Sequence, residues 1–243
     1  MDFFKLGFIG KYVNELANGN NTVQLLVFLI ACLFIMCVAY VLGSLNFAII
    51  ISGKTYKQDI RNYGSKNAGM TNMMRTYGKK AATLTLLGDA AKAVVAGLVG
   101  YAVLGQMGAY IAGFSCVLGH MFPVFYKFKG GKGVVTAAIS ILMCNPLVFL
   151  IVILMFVIIV GFTKYISLGS IMCALMYPFV LNAVERLFYG GCPIYAVLSS
   201  LLICVLLLYK HRENFKRLRE GKESKFSFKK SVKPEDVAKK EDK

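Results

Sequence analysis

Apolar residues come in long runs, and the charged residues cluster in a few short stretches between them and in a tail. Six runs are long enough, or nearly so, for a helix crossing a bilayer, which needs about 20 apolar residues. They are Leu25–Ile51, Ala81–Leu104, Gly108–Phe125, Leu147–Phe162, Ile166–Val184 and Ile194–Tyr209. A further run, Val134–Cys144, has eleven residues, a helix of about 17 Å at 1.5 Å per residue. It either borrows neighbours such as Gly133 or is partly re-entrant. Counting it as a span gives the expected fold class: an all-α integral membrane protein of about seven transmembrane helices, the fourth short. Residues 1–24 are read as an extracytoplasmic lead-in, 25–221 as one helical membrane domain and 222–243 as a polar cytoplasmic tail, expected to be disordered because Pro234 and mixed charge leave little apolar surface to bury.

Composition agrees with the pattern. Of 243 residues 57% are hydrophobic and 16% charged, and mean hydropathy is +0.63. A net charge of +16 would suit nucleic acid, but its placement beside apolar runs argues for the positive-inside bias and for anionic lipid or phosphorylated substrates. With seven spans, 24 of the 28 Lys and Arg fall on one side, leaving Lys5, Lys11 and Arg186 opposite and Lys92 within a span. The expected amino terminus is therefore outside and the tail cytoplasmic. Dropping the short span would put Lys164 and the basic tail outside. The seven cysteines form no CxxC pair and mostly lie in apolar runs, as packing residues do; neither a disulfide framework nor a metal site is expected.

Three polar segments fall on that one side. The first runs from Asp59 to Lys80 and holds Gly64, Ser65, Lys66, Asn67, Gly69, Thr71, Asn72, Arg75 and Gly78. Small residues let backbone amides approach an anion, hydroxyls and amides add donors, and Arg offers a fork matched to phosphate. The second runs from Gly119 and His120 to Gly130-Gly131-Lys132-Gly133, a turn that opens an apolar helix. Amides at a helix start plus Lys132 would make an anion nest. Gly133 after the lysine excludes a Walker A loop. The third, His211-Arg-Glu-Asn214-Phe-Lys-Arg-Leu218, follows the last run and places His211, Asn214 and Leu218 on one helix face. Taken singly, each also fits a solvated loop, a basic turn or a lipid-binding juxtamembrane stretch. Their shared side points to one phosphate-binding site at the mouth of a bundle. His120 alone reads as a hydrogen-bonded helix-end residue, and Asp89 with Lys92, at i, i+3 within a span, as a brace between helices.

From Gly43-Ser44 to Gly221 these motifs, in order and spacing, resemble the bacterial acyl-phosphate-dependent glycerol-3-phosphate acyltransferases. Asp89-x-x-Lys92 and Ile166-Ser167-Leu168 fit the same pattern. The resemblance implies a seven-helix enzyme of the cell membrane that moves a fatty acyl group from acyl phosphate to the sn-1 hydroxyl of glycerol 3-phosphate. The products would be lysophosphatidate and phosphate, with no cofactor and no metal. By the same resemblance, Ser65, Arg75 and Lys132, with Asn67, Thr71, Asn72, Gly130, Gly131 and Gly133, would bind the two substrates. His211 and Asn214 would orient the attacking hydroxyl, whose proton goes either to His211 or to the acyl-phosphate oxygen. Lys66 stands where the family has Gly, Ala68 where Pro is common and Asn46 where the first span often has Pro. The expected partners are the two substrates and membrane lipid, with no nucleic acid; oligomeric state is open. The rival reading, an organic-phosphate transporter, would want polar residues along a pore and an inverted repeat. Only Asp89 and Lys92 offer the first, and no repeat is present.

Overall fold

The computed structural model describes residue 7 and residues 20–226; most of the lead-in and the tail from residue 227 lie outside them. The described residues form eight α-helices and no strand: α1 Asn21–Ser44, α2 Phe47–Tyr56, α3 Met70–Tyr77, α4 Lys79–Met121, α5 Val134–Cys144, α6 Pro146–Thr163, α7 Ile166–Tyr189 and α8 Ile194–Arg219. Among them, α1 with α2, α4 with the turn after it, α6, α7 and α8 are each long and apolar enough to cross a membrane.

Two boundaries differ from the expected runs. The run Leu25–Ile51 is broken at Leu45, whose ψ of 91° ends α1. Asn46 starts α2 by accepting a hydrogen bond from the Ile49 amide at 3.2 Å, the usual work of an N-cap side chain. It also donates to the Ala68 carbonyl at 3.3 Å, so the break ties the first span to the first polar loop. The runs Ala81–Leu104 and Gly108–Phe125 are the two arms of α4, which bends back where Leu104 and Gly105 leave helical geometry, Gly105 with φ +58°. The arms touch through backbone: a Cβ on Gly100 would strike the Gly108 carbonyl, and one on Gly108 the Gly100 carbonyl. Counting the arms separately and adding the short α5 recovers the seven apolar segments of the sequence.

Packing follows from small residues. Gly43 of α1 lies on the Cys116 carbonyl and Gly119 on that of Tyr40, with Ala39, Ala93, Ala96 and Ala112 buried between. In lipid, helices associate through such close backbone contact because apolar side chains gain nothing by leaving an apolar solvent. The outward residues match: Leu26, Ile30 and Leu33 of α1, and Leu150, Leu154 and Phe162 of α6, are all more than half exposed. A second core lies among the second arm of α4 and α5 to α8, around Tyr110, Val117, Ile141, Tyr177 and Leu181. At that core Asn145 caps α6 and donates to buried Glu185 at 3.0 Å.

Candidate active site

The polar segments meet around one cavity of about 880 Å³. Its mouth carries Ser65, Asn67, Thr71, Arg75, Lys132, His211 and Asn214; its interior is apolar, with Ala137, Val152, Phe156, Cys173 and Tyr177.

The first loop is shaped by Asn72, which is 1% exposed. Its Oδ1 accepts from the Ser65 amide at 2.8 Å, and its Nδ2 faces the carbonyls of Ile60, Tyr63 and Asn67 at 2.9–3.2 Å. This amide, expected from the sequence to bind substrate, lines the cavity while its hydrogen bonds go to backbone, presenting Ser65 there. Arg75 projects from the last turn of α3 and makes no hydrogen bond or ion pair among the described residues. Arg61 pairs with Asp59 at 2.6 Å and donates to the carbonyls of Tyr126 and Lys129 at 3.0 and 2.9 Å, fastening the first loop to the second. Lys66 has φ +58°, the left-handed region in which glycine costs least, and its side chain is exposed.

The second loop divides its glycines between two places. Gly130 and Gly131 do not line the cavity. Their amides donate to the carbonyls of Met121 and His120 at 3.3 and 3.1 Å, because the turn packs flat on the end of α4. The amides left for an anion are those at the start of α5. Gly133, φ +77°, precedes that helix, no side chain caps it, and Lys132, Gly133, Val134 and Val135 all face the cavity. Helix N-termini favour negative charge.

On α8, His211 is 3% exposed and Asn214 4%. Nδ1 of His211 lies 2.8 Å from the Leu207 carbonyl. A carbonyl only accepts, so Nδ1 carries the ring proton, and in the neutral ring Nε2 keeps its lone pair. Asn214 accepts a short hydrogen bond from Lys132 through Oδ1 and donates through Nδ2 to Glu223 at 2.7 Å. Glu223 also accepts from Ser167 at 2.8 Å and from Arg217 at 2.7 Å. Burial works against its charge, but the hydrogen bonds from Arg217, Asn214 and Ser167 hold its carboxyl below the ordinary range. Lys132 is pushed the other way, down to about 8, by burial and then by the charges of Arg217, Arg75 and Lys210, with Glu223 opposing.

Glu223 and Arg217 escaped the sequence reading as site residues. Glu223 falls past Gly221, where the polar tail was expected to begin. The chain instead turns back, and the Phe226 amide donates to the Lys164 carbonyl at 2.7 Å. The signal was Ser167, whose motif resemblance had no assigned purpose. Asp89 and His120, buried in the cavity wall, pack on buried Lys92, which bridges the broken end of α1 through the carbonyls of Gly43 and Leu45 at 2.9 and 2.7 Å.

A cationic, donor-rich mouth over an apolar chamber accommodates an anion joined to a long apolar chain. Comparisons with known proteins point the same way. The glycerol-3-phosphate acyltransferase family profile matches residues 33–221. A glycerol-3-phosphate acyltransferase of Finegoldia magna is 43% identical over 189 residues, covering 77% of this chain and 92% of that protein. One of Thermoanaerobacter pseudethanolicus is 42% identical over 196 residues, 81% of this chain and 96% of that protein. The crystal structure of PlsY, an integral membrane glycerol 3-phosphate acyltransferase in its glycerol 3-phosphate form, matches with a TM-score of 0.73 at 36% identity, covering 81% of this chain and 96% of that one. Its lysophosphatidic acid form matches with a TM-score of 0.70 at 35% identity. The chain is an integral membrane acyltransferase and belongs to the glycerol-3-phosphate acyltransferase family.

Proposed function

We propose that the acyl donor is an acyl phosphate and that the product is lysophosphatidate, the first intermediate of phospholipid synthesis. One observation carries this reading: the cationic mouth and the apolar chamber are a single cavity. An acyl phosphate spans both halves, with its phosphate among Lys132, Arg75 and the start of α5 and its chain beside Val152, Phe156 and Cys173. Glycerol 3-phosphate adds a second anion at the same mouth, which accounts for the cations gathered there.

The sn-1 hydroxyl oxygen attacks the carbonyl carbon, the carbon–oxygen bond to phosphate breaks, and phosphate leaves. Asn214, held between Lys132 and Glu223, orients the hydroxyl. The bare Nε2 of His211 is placed to take its proton; the leaving phosphate is the other acceptor. The donor is already activated, so alignment and stabilisation of the oxyanion supply most of the rate without a covalent serine intermediate. The chain is placed in the bacterial cell membrane with seven crossings, its amino terminus outside and the site facing the cytoplasm. The membrane-embedded catalytic unit begins near residue 25 and runs on through residue 226, because Glu223 belongs to the site.

The test is purified protein with palmitoyl phosphate and glycerol 3-phosphate, following phosphate and lysophosphatidate together. Equal amounts of both are expected only when both substrates are present, and Lys132→Ala should lower the rate by about 100-fold or more, as loss of one oxyanion-hole-type group does. Phosphate without lysophosphatidate would mean hydrolysis. Neither product, with uptake of glycerol 3-phosphate into proteoliposomes, would favour a transporter.

A further inference from the structure

His120 does more than cap a helix end. It is 4% exposed, as buried as its neighbours Asp89 at 2% and Lys92 at 3%, yet its ring reaches the cavity wall. The Lys92 ammonium lies 2.9 Å from His120 Nδ1, 2.9 Å from Asp89 Oδ1, and within 2.9 Å of the Gly43 and Leu45 carbonyls. An ammonium has donors only. Its three N–H bonds are shared among these four acceptors, and a ring N–H facing the ammonium at 2.9 Å would set donor against donor. Nδ1 therefore turns its lone pair to Lys92, which leaves the ring proton on Nε2. Asp89, 3.5 Å from the same Nδ1, balances the Lys92 charge. The two histidines of the chain thus carry their protons on opposite nitrogens: His211 offers a lone pair at Nε2, His120 an N–H.

That N–H has no hydrogen-bonding partner among the described residues. Nor is it sealed: the fully enclosed side-chain atoms without partners are Thr76 Oγ1, Tyr110 Oη and Thr136 Oγ1. A Cβ on Gly131 would lie 2.2 Å from Nε2 and 2.4 Å from the Ala68 carbonyl oxygen. The atom therefore sits at the seam between the first and second loops, one residue from Lys132. An N–H that opens on the substrate cavity and has no protein acceptor among the described residues is free to donate to a ligand oxygen there. We propose that His120 Nε2–H is a further substrate-binding donor of the site, taking a phosphate oxygen, with Asp89 and Lys92 as the positioning residues that hold its tautomer. This rests on the reading that phosphate-bearing substrates occupy the cavity. The oxygen belongs either to glycerol 3-phosphate or to the acyl phosphate.

Two experiments test it. His120→Asn keeps a group that can accept from Lys92 but reaches no farther, so Nε2–H is lost. His120→Gln keeps an N–H near that point. The Asn variant should raise KM for one of the two phosphate substrates about 10- to 100-fold, the usual loss for a hydrogen bond to a charged group, and the Gln variant should restore most of it. The raised KM names the source of the oxygen. Unchanged KM and kcat in a folded Asn variant would overturn the proposal.

The second needs no variant at this position. With only two histidines in the chain, 15N-histidine labelling gives two rings, told apart with His211→Gln. The His120 signal should show a protonated Nε2 whose proton shifts on saturation with glycerol 3-phosphate or with a palmitoyl phosphonate. A signal that stays fixed with both, in protein that makes lysophosphatidate, overturns the inference alone. Wild-type protein that makes no lysophosphatidate overturns the functional reading instead.

Discussion

Lys132 concentrates the electrostatics of the site in one side chain. Burial and the neighbouring Arg217, Arg75 and Lys210 bring its pKa down to about 8, well below the ordinary lysine value, and only the charged form pairs with phosphate. In the free enzyme, kcat/KM for glycerol 3-phosphate should therefore fall as pH rises through about 8. Lys132→Arg, which keeps its charge, should move that limb to higher pH even if the maximum is lower. Stability should run the opposite way. The unfolded lysine holds its proton up to its normal pKa while the folded one has released it, so the substrate-free protein gains stability from about pH 8 upward. A kcat/KM profile flat from pH 7 to 9 would remove Lys132 from phosphate binding. Asn72 makes the complementary point. It belongs to the same polar loop and the same motif, yet its amide is used up on backbone, so its contribution is loop shape.

At the scale of elements, the hairpin within α4 decides where the site can form. Its first arm carries Asp89 and Lys92, its second ends at His120, and the fold between them lets these residues meet. The fold depends on Gly100 and Gly108, each seated on the other's carbonyl. Gly108→Val should push the arms apart and lower stability by about 3 kcal/mol, the upper end of ordinary overpacking, because backbone cannot give way as a side chain does. The check is thermal unfolding in detergent together with activity, which should fall with the folded fraction. Gly161, with open space where its Cβ would be, is the control and should tolerate Ala.

At the scale of the whole molecule, the proposed seven crossings would put the two ends on opposite sides. In a cysteine-free background, a membrane-impermeant maleimide applied to right-side-out cells should label Asn20→Cys and spare Lys222→Cys, and inverted vesicles should reverse the pattern. Labelling of both from one side would mean an even number of crossings, with α5 re-entrant. The positive-inside count then fails as well, since it assigned Lys164 and the basic stretch after α8 to the same side as Lys132. Ser167, which follows Lys164, and Glu223 beyond α8 bond each other and line the same cavity as Lys132, which supports the odd count.

The apolar runs alone determined the class of this protein. Burial in lipid depends on composition over about 20 residues, and the seven segments could be read without knowing their partners. The motifs likewise determined the chemistry of the mouth, because anion binding needs particular residue types wherever they are placed. What they left open was which polar atoms are available. Asn72, Gly130 and Gly131 belong to the motifs but spend their hydrogen bonds on neighbouring backbone. Glu223, Arg217 and His120 became part of the site only through distant elements: α7 for the first, the turn beyond α8 for the second, and the folded-back α4 for the third. A hydrogen bond is satisfied by whatever atom lies within reach in space, and only the tertiary structure brings Ser167 to Glu223 or Lys92 to His120.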